Sequence, residues 1–376
     1  MATSKKRRLL ERPYEEGPVG RPAETDRSGE QPVAVSIIVP CRNERTAIEP
    51  FLCSVLRQQA PPFEVLIADG RSDDGTRQIL ERFAREYPNV KMLDNAARFT
   101  SSGLNLAIAA ARAPIIMRMD CHTQYREDYI AECVRVLEET GASNVGGAAR
   151  TRPAGFRARL FAAAYRHPFS CGGALFHDEN YEGPIDTVPY GCWRRELFDQ
   201  IGMFDEMLVR NQDDEFNLRT LRAGGRIWQS RRIVSWYEPR TSLSALFRQY
   251  FQYGYWKVAV IRKHRIPASW RHLVPGAFVA MVLGLPLTVG AAAAIGIAKL
   301  AILGAAAWVA VLSVYAVSAA SAALLTISQN GPAASVALPV LFAIYHVSYG
   351  LGFLSGILAA ARNQRAVPAR AADITR

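Results

Sequence analysis

Two side chains that can bind a metal ion, Asp120 and His122, follow an apolar run that begins at residue 114. The run predicts a buried β-strand, and residues two apart on an extended strand share one face. A carboxylate oxygen and an imidazole nitrogen could therefore reach one divalent cation at the carboxyl end of this strand. Taken alone, the pattern rather favours a strand that ends in a polar turn. Alternating strands and helices before it and an acidic cluster at 213–215 after it favour the metal interpretation.

The first part of the chain alternates strand patterns with helix patterns. The β-branched run at 33–39 is typical of a strand covered on both faces in a parallel sheet. The predicted order is strand 33–39, a helix capped by Asn43, strand 63–69, a helix opened by 74–76, strand 90–93, helix 101–111 and strand 115–119. This alternation predicts an α/β fold, in which ligands bind beyond the carboxyl ends of the strands. Residues 40–44, 69–76 and 120–122 all fall at that edge.

The loop at 68–76 places small and acidic residues where a base and a ribose could bind. The Asp69 carboxylate could accept a hydrogen bond from a ring N–H or a ribose hydroxyl. Asp74 is better explained as a residue that opens a helix, because Asp-Gly-Thr is a helix-start pattern. A dinucleotide-dependent oxidoreductase is disfavoured, since no Gly-x-Gly-x-x-Gly follows the first strand.

The C-terminal part is apolar enough to cross a membrane. Residues 273–298, 300–328 and 332–361 contain no formally charged side chain, and each run exceeds the roughly 20 residues that span a hydrocarbon core. We therefore expect an integral membrane protein with about three apolar segments. Basic residues just before the first segment, at 262–271, predict that the preceding domain is cytoplasmic at the cell membrane.

Charge and cysteine content limit the classes of partner and the kinds of cysteine site that the chain could have. The net charge is +11 and the isoelectric point is about 9.5, which beside membrane segments indicates membrane lipid or phosphate-bearing substrates rather than nucleic acid. The six cysteines are dispersed, which argues against a zinc site or a disulfide framework. The predicted organisation is a disordered tail at 1–31, a catalytic domain at 32–240, an amphipathic interfacial segment at 241–272, the membrane region at 273–361 and a basic tail at 362–376.

Two polar features near apolar surfaces have alternative interpretations. The amphipathic pattern at 156–169 predicts a helix packed on the core, with membrane-surface contact as the alternative. His346, inside the third apolar run, could contact a lipid diphosphate or form an internal hydrogen bond to a neighbouring helix.

Four motifs together resemble a known family. They are Val-Ser-Ile-Ile-Val-Pro-Cys-Arg-Asn-Glu at 35–44, the loop at 69–76, the Asp-x-His at 120–122 and the acidic cluster at 213–215. In order and spacing they are similar to the family 2, A-type inverting glycosyltransferases, above all to the non-processive membrane β-glucosyltransferases of succinoglycan-type exopolysaccharide assembly. The resemblance covers about residues 33–260. It implies a GT-A fold, which is Rossmann-like, followed by C-terminal transmembrane helices.

The resemblance also implies roles for residues at the nucleotide edge. Pro40, Asn43 and Glu44 would frame the nucleotide pocket, and Asp69 would contact uracil. The family loop usually opens Asp-Asp-Gly-Ser, and here residues 70 and 71 are Gly and Arg. The family metal motif is usually Asp-x-Asp. A histidine in its last place suits Mn²⁺ better than Mg²⁺.

The acidic cluster matches a family segment that reads Glu-Asp-x-Glu-Leu-x-x-Arg. On that register Asp213 is the catalytic base, with Asp214 as the fallback, and Glu215 and Arg219 form a structural pair one helical turn apart. The cluster also fits an ordinary solvated helix start.

Further along, Trp256 could stack on an acceptor sugar, and Lys257 or Arg248 could contact phosphate. Processive relatives carry Gln-x-x-Arg-Trp in this region, and here Tyr255 occupies the position of that arginine. The difference disfavours a polymerising synthase.

The expected activity is transfer of a single sugar, expected to be glucose, from a UDP-sugar to a polyprenyl-diphosphate-linked oligosaccharide, with a divalent cation, Mn²⁺ or Mg²⁺. One alternative is a polyprenyl-phosphate sugar transferase. Another is a non-catalytic membrane subunit that binds nucleotide sugar or scaffolds an assembly.

Overall fold

A computed structural model describes residues 32–238 and 241–362. The predicted tail at 1–31 and all of the predicted tail at 362–376 except Arg362 lie outside the described residues. The chain divides into two compact units. The first consists of residues 32–150 and 175–237, and the second takes residues 151–174 together with the C-terminal part from 238 onward. The segment predicted as one catalytic domain, 32–240, is thus interrupted by 24 residues that pack with the C-terminal helices.

The first unit contains an eight-stranded sheet with the order β3-β2-β1-β4-β9-β6-β10-β8. Its strands are β1 (Val35–Cys41), β2 (Phe63–Asp69), β3 (Val90–Asp94), β4 (Ile115–Arg118), β6 (Asn144–Gly146), β8 (Gly183–Ile185), β9 (Cys192–Arg194) and β10 (Ile227–Gln229). The first four are parallel, whereas β9 runs antiparallel to β4 and β6. A smaller sheet has the order β5-β11-β7, with β5 (Thr123–Tyr125), β7 (Arg150–Thr151) and β11 (Ser235–Tyr237).

Helices cover both faces of the large sheet, as the apolar run of β1 requires. They are α1 (Ile48–Leu56), α2 (Thr76–Glu86), α3 (Thr100–Ala110), α4 (Tyr129–Thr140), α7 (Glu196–Ile201) and α8 (Gln212–Arg222). Neighbouring residues of β1 face opposite layers: Ile37 packs with α1, α2 and α4, and Ile38 packs with α3, α7 and α8. The predicted α/β fold is confirmed. Asp74 accepts a hydrogen bond from the Thr76 amide at 3.0 Å, as its predicted role at the start of α2 requires.

The second unit is helical. It contains α5 (Gly155–Arg166), α6 (Pro168–Cys171), α9 (Leu243–His264), α10 (Val274–Ala294), α11 (Ala298–Leu324), α12 (Ile327–Asn330) and α13 (Ala333–Ala361). Three stretches are long and apolar enough to cross a membrane, namely Trp270–Ala294, Ala298–Gln329 and Ala333–Ala361. The three apolar segments predicted from the sequence are therefore present as helices.

Glycines allow α9 to approach α13 closely. A Cβ atom on Gly254 would lie 2.0 Å from the Tyr349 carbonyl oxygen, and one on Gly352 would lie 1.9 Å from the Phe251 carbonyl oxygen. Only glycine fits at such backbone contacts. The predicted interfacial segment is therefore packed along an apolar helix of its own unit.

His346 on α13 forms internal hydrogen bonds. Its Nδ1 lies 2.9 Å from Tyr315 Oη on α11, and its Nε2 lies 2.9 Å from the Phe169 carbonyl oxygen. The internal interpretation of this histidine is confirmed, because both ring nitrogens have partners within the unit.

Candidate active site

The carboxyl ends of β1, β2 and β4 bring the sequence motifs to one edge of the sheet. In the parallel register Cys41 lies opposite Asp69, and Ile38 lies opposite Arg118. β1 and β2 therefore end level with each other, and β4 ends three residues earlier, opposite Ile38. This is the edge at which open α/β sheets bind ligands.

Arg118, the last residue of β4, joins the two acids singled out from the sequence. Its Nε and Nη2 donate to the two oxygens of Asp120, each at 3.0 Å, and its Nη1 donates to Asp213 Oδ1 at 2.7 Å. The Arg118 side chain is 8% exposed, whereas those of Asp120 and Asp213 are 30% and 42% exposed. One buried guanidinium thus holds two accessible carboxylates, which are 93 positions apart in sequence, at the same place.

The strand pleat explains why Arg118 reaches α8. Ile116 and Arg118 share a face of β4, and Ile116 packs in the same apolar layer as Phe216 of α8. Asp213 lies in the first turn of that helix, which begins at Gln212 directly after Asn211, a residue with a positive φ of 61°. A carboxylate is favoured at a helix N-terminus by the helix dipole.

The charges at this place shift two pKa values. Removal from water raises the pKa of the Asp213 carboxyl, Arg118 opposes this, and Asp120 and Asp214 add to it, so the pKa stays above its usual value. Burial alone would lower the pKa of Arg118, but the two carboxylates outweigh it and raise that pKa. Arg118 therefore remains a cation, and Asp213 is a stronger base than an ordinary aspartate.

His122 has a different partner from Asp120. Its Nε2 lies 2.8 Å from Glu44 Oε2 in the loop after β1. Within residues 32–238 and 241–362, no three His, Cys, Asp or Glu side chains form a ready metal-binding group. The two predicted metal ligands thus sit at the same strand end with separate partners.

The loop after β1 is tied to the loop after β2. The amide of Asn43 donates to Ser72 Oγ at 2.9 Å, Asn43 Oδ1 accepts from the Asp73 amide at 3.0 Å, and the Glu44 amide donates to Thr76 Oγ1 at 2.7 Å. Asn43 adopts a positive φ of 56°, which asparagine tolerates better than most residues. These bonds fix both loops at the carboxyl-end edge of the sheet, with Pro40 within β1 before them.

Comparisons with known proteins identify the family of this chain. The sequence profile described as "Glycosyl transferase family 2" matches residues 36–202. Succinoglycan biosynthesis protein ExoA of Rhizobium meliloti is 34% identical over 334 residues, which is 86% of this chain and 94% of that protein. The chain belongs to glycosyl transferase family 2.

Two further proteins are similar to this chain over most of its length. A Methanococcus voltae protein named dolichyl N-acetyl-alpha-D-glucosaminyl phosphate 3-beta-D-2,3-diacetamido-2,3-dideoxy-beta-D-glucuronosyltransferase is 24% identical over 86% of this chain and 97% of its own length. The solved mannosyltransferase PcManGT of Pyrobaculum calidifontis, in complex with GDP-Man and Mn²⁺, superposes with a TM-score of 0.54 at 19% identity, over 94% of this chain and 93% of its own. At that identity the likeness concerns the fold. The expected GT-A architecture followed by long apolar helices is confirmed.

Asp69, the residue that family resemblance assigns to uracil, has its carboxylate enclosed by its own loop, and the contact with uracil stays a prediction. Its side chain is 0% exposed. It accepts hydrogen bonds from the amide and hydroxyl of Ser72, and Arg77 Nη1 lies 3.2 Å away. In this conformation Asp69 shapes the loop, and Arg77, which also reaches Asp94 at 2.9 Å, is the more accessible group.

The acceptor residues expected on α9 differ in accessibility. Trp256 is 1% exposed, so its ring is covered in this structure, and its stacking on an acceptor sugar stays a prediction. Lys257 is buried as well. Arg248 is exposed and keeps its side chain available.

The structure also adds residues that the motifs of family 2 did not single out. Arg118 is the first, although an arginine at the end of a buried strand is itself a signal, because a buried charge needs a partner. Tyr125 is the second: its Oη accepts from the Asp120 amide at 2.7 Å, and burial raises the pKa of this phenol. The predicted structural pair of α8 is confirmed, with Arg219 Nε 2.9 Å from Glu215 Oε1.

Proposed function

We propose that this chain is a membrane-bound inverting glycosyltransferase that transfers one sugar, glucose, from a UDP-sugar to a lipid-linked oligosaccharide during exopolysaccharide or cell-surface glycan synthesis. The observation that carries the proposal is the arginine shared by Asp120 and Asp213. This arginine holds Asp120, which is suited to binding a cation at the diphosphate, close to Asp213, which is suited to accepting a proton from the acceptor. The names of the Rhizobium and Methanococcus relatives support the product class and a lipid-linked acceptor.

The donor would bind at the edge formed by Pro40, Asn43 and Glu44 and by the loop that Asp69 shapes. Asp120 and His122 offer oxygen and imidazole ligands that suit Mn²⁺ or Mg²⁺. Because the described residues form no three-ligand group, the fit is to a cation that keeps water ligands and is completed by the substrate's phosphates. Bound there, such a cation would neutralise charge on the departing diphosphate.

Asp213 is the proposed general base, with Asp214 as the neighbouring alternative. It would accept the proton of the attacking acceptor hydroxyl, and a positioned base typically contributes about 10²–10⁴-fold to the rate. Attack from the face opposite the leaving diphosphate inverts the anomeric configuration. Arg118 would act as a positioning residue, since its Nη1 fixes the Asp213 carboxylate at 2.7 Å.

The membrane arrangement follows from the basic flank of the first apolar helix. Arg262, Lys263 and Arg271 precede α10, so we place the catalytic unit on the cytoplasmic side of the cell membrane. Exposed Arg248 remains a candidate for contact with the phosphate of the acceptor. Membrane lipids are the other partner that we expect for this unit.

The test is sugar transfer by the full chain in detergent. Radiolabelled UDP-glucose, UDP-galactose and GDP-mannose are offered with Mn²⁺ and a bacterial lipid extract, and lipid-phase label is counted. Asp120→Ala and Asp213→Asn should each lose at least about 100-fold, whereas Asp199→Asn, an exposed carboxylate of α7, should match wild type.

Other outcomes identify other functions. A polyprenyl-phosphate sugar transferase would tolerate Asp213→Asn, because a phosphate acceptor needs little general base. Donor binding without any transfer or hydrolysis would indicate a scaffold subunit. Undiminished transfer by both variants would show that the site is placed wrongly.

A further inference from the structure

The second unit is unusual in its charge. Residues 151–174 and 241–362 contain twelve arginines and lysines and no aspartate or glutamate, although the chain has 34 acidic residues. Apart from Glu238 at its boundary, no described carboxylate side chain of this unit is available to neutralise these cations. The net charge of +11 is therefore concentrated in the unit that carries the apolar helices.

Helix α5 presents part of this charge next to those helices. Leu160, Phe161 and Ala164 are buried in a cluster with the last turns of α11 and the first half of α13. Arg157 and Arg159, near the helix start, are exposed, and neither forms an ion pair with any residue of the described ranges. Arg157 lies over the Phe161 ring, with Cζ 5.9 Å from its centroid.

Two contacts locate this helix at one end of the apolar bundle. The cluster partners of α5 flank the turn between α11 and α13. Gly172, directly after α6, lies against Arg271, since a Cβ there would be 3.2 Å from that side chain. If α10, α11 and α13 each cross a bilayer, the start of α10 and the end of α11 are on the same side. Both contacts thus assign α5 and α6 to that side.

We propose that α5 lies in the plane of the membrane surface and that Arg157 and Arg159 bind the phosphate groups of anionic phospholipids. Phe156, 52% exposed beside the two arginines, would enter the boundary between headgroups and acyl chains. A helix that combines arginines with an adjacent aromatic ring is typical of helices that lie at a membrane surface. The proposal does not depend on the reaction catalysed, since it concerns only how the second unit meets lipid.

The first test measures headgroup binding. Dioctanoyl-phosphatidylglycerol and the matching phosphatidylcholine are titrated into the detergent-purified full chain, and bound lipid is counted by native mass spectrometry. At about 1 kcal/mol for each basic residue near an anionic surface, Arg157→Gln/Arg159→Gln should weaken phosphatidylglycerol binding about 30-fold and leave phosphatidylcholine unchanged. Arg85→Gln, an exposed arginine on α2 of the first unit, is the control. Unchanged phosphatidylglycerol binding, or equal loss for both lipids, overturns the proposal.

The second test measures position and does not depend on the arginines. Phe156→Cys, labelled with bimane, is placed in nanodiscs with and without a nitroxide-labelled lipid, and unmutated protein gives the background from its own cysteines. Quenching at position 156 should be strong in the discs that contain the nitroxide lipid. Equal fluorescence in the two kinds of disc would remove α5 from the membrane surface.

Discussion

Replacing Arg118 by glutamine should lower the turnover number much more than the affinity for the nucleotide sugar. Glutamine is polar and of similar length, but it cannot donate to both Asp120 oxygens and to Asp213 together, and it carries no charge. The Asp213 carboxylate would lose its fixed position, while the loops held by Asn43 and Glu44 stay intact.

The magnitude follows from the bond that is lost. A hydrogen bond between charged groups contributes about 1.5–3 kcal/mol, which corresponds to about 10- to 150-fold in rate. Asp213 is 42% exposed, so water replaces part of the interaction and the lower part of that range applies. We expect a loss of about 10- to 50-fold in turnover for glutamine. Lysine should lose less, because it keeps the charge while giving up the bidentate fork.

The pH dependence separates this role from a general loss of structure. Asp213 must be deprotonated to act as a base, so activity rises as pH rises through its pKa. Solvent removal raises that pKa and Arg118 lowers it. Without the guanidinium the pKa of Asp213 rises further, and the acid limb of the rate profile should move to higher pH.

The assay is release of nucleoside diphosphate during sugar transfer, followed against pH, with donor affinity measured separately by calorimetry. Arg112→Lys is the matched control, because Arg112 pairs with Glu64 before the amino end of the same strand, away from the site. An Arg118→Gln variant with wild-type turnover and an unshifted acid limb would refute the positioning role. A variant that unfolds earlier but keeps the wild-type pH profile would assign Arg118 to stability alone.

Three further predictions address stability and the cation. Glu64→Ala should cost about 1–3 kcal/mol of unfolding free energy, because the Ser36 hydroxyl and the Arg112 amide lose their acceptor. Although burial raises it, hydrogen bonds and Arg112 lower the pKa of Glu64 overall, so its contribution is present at neutral pH and is lost on acidification, as thermal unfolding against pH can check. Gly352→Ala should lower the melting temperature in detergent by separating α9 from α13, whereas Gly284→Ala, with open space at its Cβ, should not. Removing divalent cations with EDTA should abolish transfer and weaken UDP binding, and Mn²⁺ should restore both.

The sheet and the apolar helices could be predicted from the sequence because both follow from short-range patterns. The β-branched run of β1 has alternate residues buried in two helical layers, which is what a continuous apolar strand requires. The uncharged runs after residue 272 exceed the length of a bilayer span. In each case a local pattern has only one structural solution.

The partners of charged side chains could not be predicted in the same way. Asp69 and Trp256 have side chains suited to ligand binding, yet one is enclosed by Ser72 and Arg77 and the other is buried. Which face a residue presents depends on packing between distant segments, and sequence spacing does not contain that information. The membership of 151–174 in the second unit is a further example, since only its contacts with α11 and α13 reveal it.

The charge balance around Arg118 explains why the proposed donor and cation should bind together. Arg118, Asp120 and Asp213 together carry a single net negative charge when Asp213 is ionised. That charge is too small to hold a divalent ion firmly, since Asp120 already has both oxygens engaged. A bound nucleoside diphosphate would supply further anionic ligands to the cation. Its phosphates would also attract Arg118, which would then compete less with the cation for Asp120. We therefore expect Mn²⁺ affinity to be weak without nucleotide and to rise steeply with UDP, and equal Mn²⁺ affinity in the two conditions would contradict this account.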